Sequence, residues 1–196
     1  MAEIKSTIEK VMERVARMDI TSSEGGDAEE KIKEGMRLGA DYLRGDVKHI
    51  VSSLDQHPKA DRASIEKGVI RTFLRNIVLP RTEEQNDAEK AMQGLLDLGR
   101  GGREIISLIS EMKQLIDRFQ QHKKELRQQL ETAFRQQIEQ TLAQQGIQSK
   151  MAMNIDPARH PQFQEEWQKV KGELNEQYGR ALDQHKDYVT QILAAL

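Results

Sequence analysis

Apolar residues recur along most of this chain at alternating spacings of three and four, the period of an amphipathic α-helix. The N-terminal segment carries one narrow apolar seam on an otherwise charged helix, formed by Ile4, Ile8, Val11, Val15 and Met18. A seam this narrow is typical of a helix that packs against one partner helix. We therefore expect residues 1–20 to form a docking helix that binds a partner protein or another copy of the chain.

Residues 21–26 interrupt this period with small polar residues and the pair Gly25-Gly26, which predicts a hinge. Three shorter helical stripes follow, bounded by Pro58, by Pro80 and by a glycine-rich segment at 99–102. The stripe after Pro58 covers a wider arc than a coiled-coil seam, which is typical of a helix in a compact core. The pattern predicts a small helical domain over residues 27–100.

Two glycines in the first of these stripes, Gly35 and Gly39, are four residues apart. Residues at this spacing share one face of a helix, so the pair forms a smooth strip. Another backbone could approach closely along that strip. Local flexibility explains the two glycines equally well.

Residues 103–145 contain no proline or glycine, and their apolar stripe is sustained apart from Lys123, which stands where an apolar residue is expected. A second long stripe runs from Phe163 through Trp167 to the end of the sequence. A connector of roughly ten residues between two such helices favours an antiparallel pair. We expect residues 103–196 to form a coiled-coil-like helical hairpin, with Phe163 and Trp167 packed near Phe134, Ile138 and Leu142.

The composition agrees with an all-α fold, since hydrophobic residues make up 37%, aromatic residues 4% and charged residues 32%. The formal net charge is −2, and basic and acidic residues nearly balance in each half, so we expect no nucleic-acid partner. The absence of cysteine excludes disulfides and thiol chemistry and is compatible with a reducing compartment. The apolar runs are too short to cross a bilayer or to form a secretory signal. We therefore expect a cytoplasmic protein without a transmembrane segment.

Few residues form sequence patterns typical of a catalytic, metal-binding or ligand-binding site. Asp46 and His49 have an i, i+3 spacing, but a di-iron bundle needs two Glu-x-x-His pairs, so no metal and no cofactor are expected. His185 lies on the apolar seam, where a packed, hydrogen-bonded side chain is expected. The loop residues Arg100, Gly101, Gly102 and Arg103 precede a helix N-terminus and form a candidate anion-binding site, with a plain turn as the alternative.

These observations favour a non-enzymatic structural or interaction protein acting through long amphipathic helices. It would serve as a scaffold, an adaptor or a chaperone-like protein, and we expect it to self-associate as a homo-oligomer or to bind a partner protein. One alternative is an accessory protein at a membrane surface or cell envelope. The other is a helical-bundle enzyme that binds a metal or a ligand.

Overall fold

A computed structural model of the protein describes residues 7–81, 87–144 and 156–194, and the side chains of 26–81, 88–144 and 156–194. Within these ranges the chain forms α-helices and one 3₁₀ turn, and no strand, which confirms the expected all-α fold. The helices are α1 (Thr7–Arg44), α2 (Ile50–Asp55), α3 (Lys59–Asn76), α4 (Asp87–Leu98), α5 (Arg103–Gln144) and α6 (Pro161–Ala194). None of the described helices combines the length and apolar content needed to span a membrane.

The hinge predicted at residues 21–26 is wrong, because α1 continues through this segment as one helix. A glycine in a helix costs about 1 kcal/mol relative to alanine, but it does not forbid helical backbone. The sequence on both sides is rich in charged helix formers. Small polar residues and a glycine pair therefore weaken the helix here without ending it.

The first stripe of the predicted small domain ends earlier than expected, at Gly45 instead of near Pro58. Gly45 has a φ of 96°, a left-handed conformation that glycine adopts without steric cost. Its N–H and that of Asp46 both donate to the carbonyl of Asp41, at 3.0 Å each. This is the hydrogen-bond pattern of a glycine-terminated helix end, and α2 follows as a separate short helix.

The connector between the two long stripes ends in a short turn before α6. Asp156 caps a 3₁₀ turn over Pro157–Arg159, accepting a hydrogen bond from the Ala158 N–H at 3.0 Å. Helix α6 then begins at Pro161, since proline is well tolerated as the first residue of a helix.

By their internal contacts, the residues form two compact units. The first comprises Met1–Ile77 and Asp87–Gly101, and the second comprises Val78–Asn86 and Gly102–Leu196. The first unit therefore contains α1 to α4, and the second contains α5, α6 and the segment that follows α3.

The first unit is organised around a backbone contact between α1 and α3. A Cβ atom added at Gly35 would lie 1.9 Å from the Ile65 carbonyl oxygen, and one added at Gly68 would lie 2.1 Å from the Ile32 carbonyl oxygen. At Gly39 the nearest atom would be Thr72 Cβ, at 3.0 Å. The predicted smooth strip of Gly35 and Gly39 is therefore a helix-packing surface.

The core of this unit is aromatic at its centre. Phe73 is fully buried, its ring centroid is 5.3 Å from that of Tyr42, and Gly94 of α4 leaves the space that the Phe73 ring occupies. Aliphatic side chains from α2, α3 and α4 complete the core: Ile50, Leu54, Ile65, Val69, Met92, Leu95 and Leu98. The wide apolar arc predicted after Pro58 thus corresponds to the buried face of α3.

The second unit is built on α5 and α6, whose contacts run in opposite order along the two helices. Glu111 lies opposite His185, Phe119 contacts Tyr178, and Phe134 contacts Phe163. The pair is therefore antiparallel. Its buried seam consists of Ile105, Ile109, Met112 and Phe119 from α5 and Phe163, Leu174, Leu182, Val189 and Leu193 from α6. This arrangement is compatible with the predicted hairpin, whose coiled-coil character stays a prediction.

Candidate functional site

The predicted docking seam is not tested by the structure. Ile4 lies outside the described residues, and so do the side chains of Ile8, Val11, Val15 and Met18, whose backbone belongs to α1. A role of this seam in binding a partner stays a prediction.

The predicted anion-binding loop has a backbone that fits a turn. Arg100 and Gly101 have φ values of 49° and 71°, and the Gly102 carbonyl accepts the first hydrogen bond of α5 from Ile106 at 3.1 Å. Burial raises the pKa of the Glu66 carboxyl group, and the Arg100 guanidinium acts in the opposite direction. The charge of Arg100 therefore already interacts with a carboxylate, and anion binding by Arg100 to Arg103 stays a prediction.

The carboxylate considered as a metal ligand is engaged in an ion pair. Asp46 pairs with Arg44 at 3.1 Å, and no group of three or more His, Asp or Glu side chains that could hold a metal occurs in the described part of the chain. His185 is half-buried, with Nδ1 2.7 Å from the Ala181 carbonyl and Nε2 3.5 Å from a Glu111 oxygen. It is a packed, hydrogen-bonded histidine, as expected from its place on the seam.

A polar cleft surrounds this histidine. It has a volume of about 340 Å³ and is lined by Glu111, Gln114, Leu115, Arg118, Gln177, Tyr178, Ala181 and His185. The Tyr178 hydroxyl lies 3.4 Å from Nδ1 of His122, within hydrogen-bond distance. Positive and negative groups are mixed here, so the cleft has no strong preference for a ligand of one charge.

Lys123, which stands in the α5 stripe where an apolar residue is expected, has a structural role that the sequence pattern does not identify. Lys123 is half-buried, its Nζ donates to the Arg81 carbonyl at 2.9 Å, and the same ammonium lies 5.7 Å from the centre of the Phe119 ring. An apolar side chain could not bind that carbonyl. Lys123 therefore holds the segment that follows α3 against α5.

This contact closes one side of a depression that we call the basic groove. It has a volume of about 350 Å³ and is lined by Pro80, Arg81, Gln120, Lys123, Lys124, Arg127, Trp167 and Lys171. Five of these eight residues are cationic and none is a carboxylate. The positive charges come from three separate segments, which explains why charge counts over each half of the chain did not reveal them.

Trp167 forms one wall of the basic groove together with Arg127. The Arg127 guanidinium lies 6.0 Å from the indole centre, and its Nε is 2.9 Å from a Glu131 oxygen. Trp167 is half-buried, whereas Phe163 is 2% exposed and packs edge-on against Phe134 with ring centroids 5.5 Å apart. Of the two aromatic residues expected in the seam, Phe163 is therefore the one the structure buries there.

A second depression, which we call the end cavity, lies next to the basic groove and shares Arg127 and Trp167 with it. Its volume is about 820 Å³, and its other lining residues are Ala158, Pro161, Phe163, Gln164, Glu165 and Gln168. Apolar groups contribute more to this lining than to that of the basic groove. A single ligand segment could contact both depressions across the Arg127–Trp167 wall.

The model of a protein family of unknown function, DUF6657, matches residues 51–191 and so includes both the basic groove and the end cavity. Searches of curated proteins and of solved structures gave no match to this chain.

Proposed function

The chain belongs to DUF6657, a family of unknown function, and we propose that it is a non-enzymatic interaction protein that binds a partner protein through its α5–α6 pair. The observation that carries this proposal is the basic groove. Four of its five cationic side chains project from two helices that are packed along a buried seam, and the fifth, Arg81, comes from the segment that follows α3. Charged groups fixed on a rigid frame bind a complementary surface without a large loss of conformational freedom.

The charge distribution supports a specific contact. The whole chain has a formal net charge of −2, yet five cationic residues converge on the basic groove. A local concentration of charge of one sign accelerates association with a complementary partner and excludes surfaces of the same sign. The indole of Trp167 adds a large, rigid contact surface of the kind that is enriched in protein interfaces.

The partner could be a different protein or a second copy of the chain, as the expected homo-oligomer would require. Light scattering of the purified protein distinguishes these two cases by mass. We also propose a cytoplasmic location, for which the support is the cysteine-free composition, compatible with a reducing compartment.

Site-specific photo-crosslinking in the source cell tests the proposal. A photoreactive residue at Gln120 lies in the basic groove, whereas one at Gln121, which bonds to Glu125, lies outside its lining. We expect a crosslinked protein from position 120 and not from position 121. The crosslink should disappear in Lys171→Glu, a groove residue, and persist in Lys169→Glu, an exposed residue of the same helix outside the groove. Identical crosslinks from both positions would contradict the proposal.

A further inference from the structure

We infer that the basic groove holds an acidic segment of the partner protein, and that an apolar side chain next to that acidic segment enters the end cavity. This inference rests on the proposed function, because it names the partner chemistry of the same surface. Four features support it: the length of the groove, its charges, the residues at its ends and the character of the neighbouring cavity.

The length of the basic groove limits the number of residues it can hold. Its α5 wall runs from Gln120 to Arg127, which corresponds to about 10 Å at 1.5 Å per residue. An extended peptide advances about 3.3 Å per residue, so about three residues fit along this wall. The groove is therefore suited to a short segment with two or three carboxylates.

The cationic groups of the groove differ in their contacts within the protein. Lys123 is bonded to the Arg81 carbonyl, and Arg127 is paired with Glu131 and placed against the indole. Lys124 is exposed and Lys171 half-buried, and both extend from opposite walls of the groove. Two ammonium groups that line one depression from different helices complement carboxylates bound in it.

The ends of the groove disfavour a long polyanion. Asp117 and Glu131 lie on the same face of α5 as the groove residues, because they are three residues before Gln120 and four after Arg127. A nucleic-acid strand that followed this face would bring phosphates next to carboxylates beyond each end of the groove. A short acidic peptide would avoid this repulsion, because it can be neutral on both sides of its charged run.

The end cavity favours an apolar side chain directly next to the acidic run. Pro161, Phe163 and Ala158 give it an apolar wall, and Glu165 is its acidic lining residue. A further carboxylate of the ligand would be repelled by Glu165, whereas an aliphatic side chain would contact Pro161 and the indole of Trp167. The segment that complements both depressions is therefore an acidic run with an apolar residue at one end.

Trp167 is the single tryptophan of the chain and lines both depressions, so its fluorescence reports directly on their occupancy. The probe is a short synthetic peptide with a run of Asp and Glu flanked on each side by leucine, added to the full chain at low salt. We expect a saturable change in emission. A peptide with Asn and Gln in place of the acids should lose binding, and one with alanine in place of leucine should bind more weakly.

Charge-reversal variants provide the matched comparison. Lys171→Glu, with Lys124→Glu as a second groove variant, should weaken binding of the acidic peptide by about tenfold or more. Lys169→Glu changes the net charge of the chain equally and should change the affinity by less than about twofold, as expected for a charge outside the contact. Far-UV circular dichroism checks that all three variants fold like the wild type.

Three results would overturn the inference. The first is equal weakening by Lys171→Glu and Lys169→Glu, and the second is equal binding of the acidic and the amide peptide. The third is tighter binding of a single-stranded oligonucleotide or of phosphatidylglycerol vesicles than of the acidic peptide. If the Gln120 crosslink depends on Lys171 while the acidic peptide fails to bind, the inference is wrong and the proposed function stands. If the peptide binds but that crosslink is insensitive to Lys171, the proposed function is wrong.

Discussion

Substituting Gly35 by alanine tests the backbone contact on which the first unit is built. The added Cβ would lie 1.9 Å from the Ile65 carbonyl oxygen, whereas ordinary van der Waals contact begins at 3.4 Å. The obstructing atom belongs to the backbone of α3, so no side-chain rotation relieves the clash. Helices α1 and α3 would have to separate by on the order of 1 Å, which loosens the contacts on both sides of the strip.

The magnitude follows from two opposing effects. Overpacking in a well-packed region costs about 1–3 kcal/mol, occasionally more, and a backbone obstruction belongs at the upper end of that range. Replacing glycine by alanine in a helix by itself raises the free energy of unfolding by about 0.5–1 kcal/mol. We therefore expect Gly35→Ala to lower the free energy of unfolding by roughly 2 kcal/mol. Gly68→Ala, whose Cβ would lie 2.1 Å from the Ile32 carbonyl oxygen, should have a similar effect.

Gly26 offers a matched control in the same helix, because it is exposed and a Cβ added there meets no atom within 4 Å. Gly26→Ala should raise the free energy of unfolding by about 0.5–1 kcal/mol. Urea denaturation followed by circular dichroism measures both variants. Stabilisation by Gly35→Ala equal to that of Gly26→Ala would refute the close contact between α1 and α3.

Four further substitutions test three separate features. Phe163→Ala should lower the free energy of unfolding by about 3–5 kcal/mol, and Trp167→Ala by clearly less, because Trp167 is only half-buried. Equal losses in urea denaturation would show that Trp167 packs in the seam. Glu66→Gln should stabilise the protein at neutral pH, because burial raises the pKa of that carboxyl group and the ionised form is disfavoured in the folded state. A raised folded pKa favours folding below the unfolded pKa and loses this contribution as the pH rises, so the gain should vanish at about pH 3. A gain that persists there would contradict this cause. Lys123→Met should speed amide exchange in residues 77–81, which follow α3, while α5 and α6 stay folded. Unchanged exchange would show that Lys123 does not hold these residues.

Local sequence signals predicted the fold class and several helix boundaries. Pro58 immediately precedes α3, and Pro161 is the first residue of α6. Proline lacks the N–H that a helix interior requires, but its fixed φ suits the first turn of a helix, so it marks helix starts. The spacing of Gly35 and Gly39 placed both glycines on one helix face but left close approach and local flexibility open, and the structure shows the close approach. The spacing does not identify Ile65 and Gly68 as the groups that approach.

Some glycines of this chain lie inside a helix and others end one, and the local sequence does not distinguish the two cases. Gly25-Gly26 lies inside α1, whereas Gly45 ends it in a left-handed conformation. The difference depends on whether the chain must turn so that α2 and α3 can pack on α1, and that requirement comes from residues distant in sequence.

The basic groove likewise could not be predicted from local sequence. Its residues come from three segments, so neither the balanced charge of each half nor any motif predicts it. One signal was present: Lys123 interrupts an apolar stripe, and a polar residue on a seam implies a polar partner. Identifying that partner as the Arg81 carbonyl required the packing of α5 against the segment after α3. Helix periodicity is encoded residue by residue, whereas a cluster of charges depends on which helices meet and in which register.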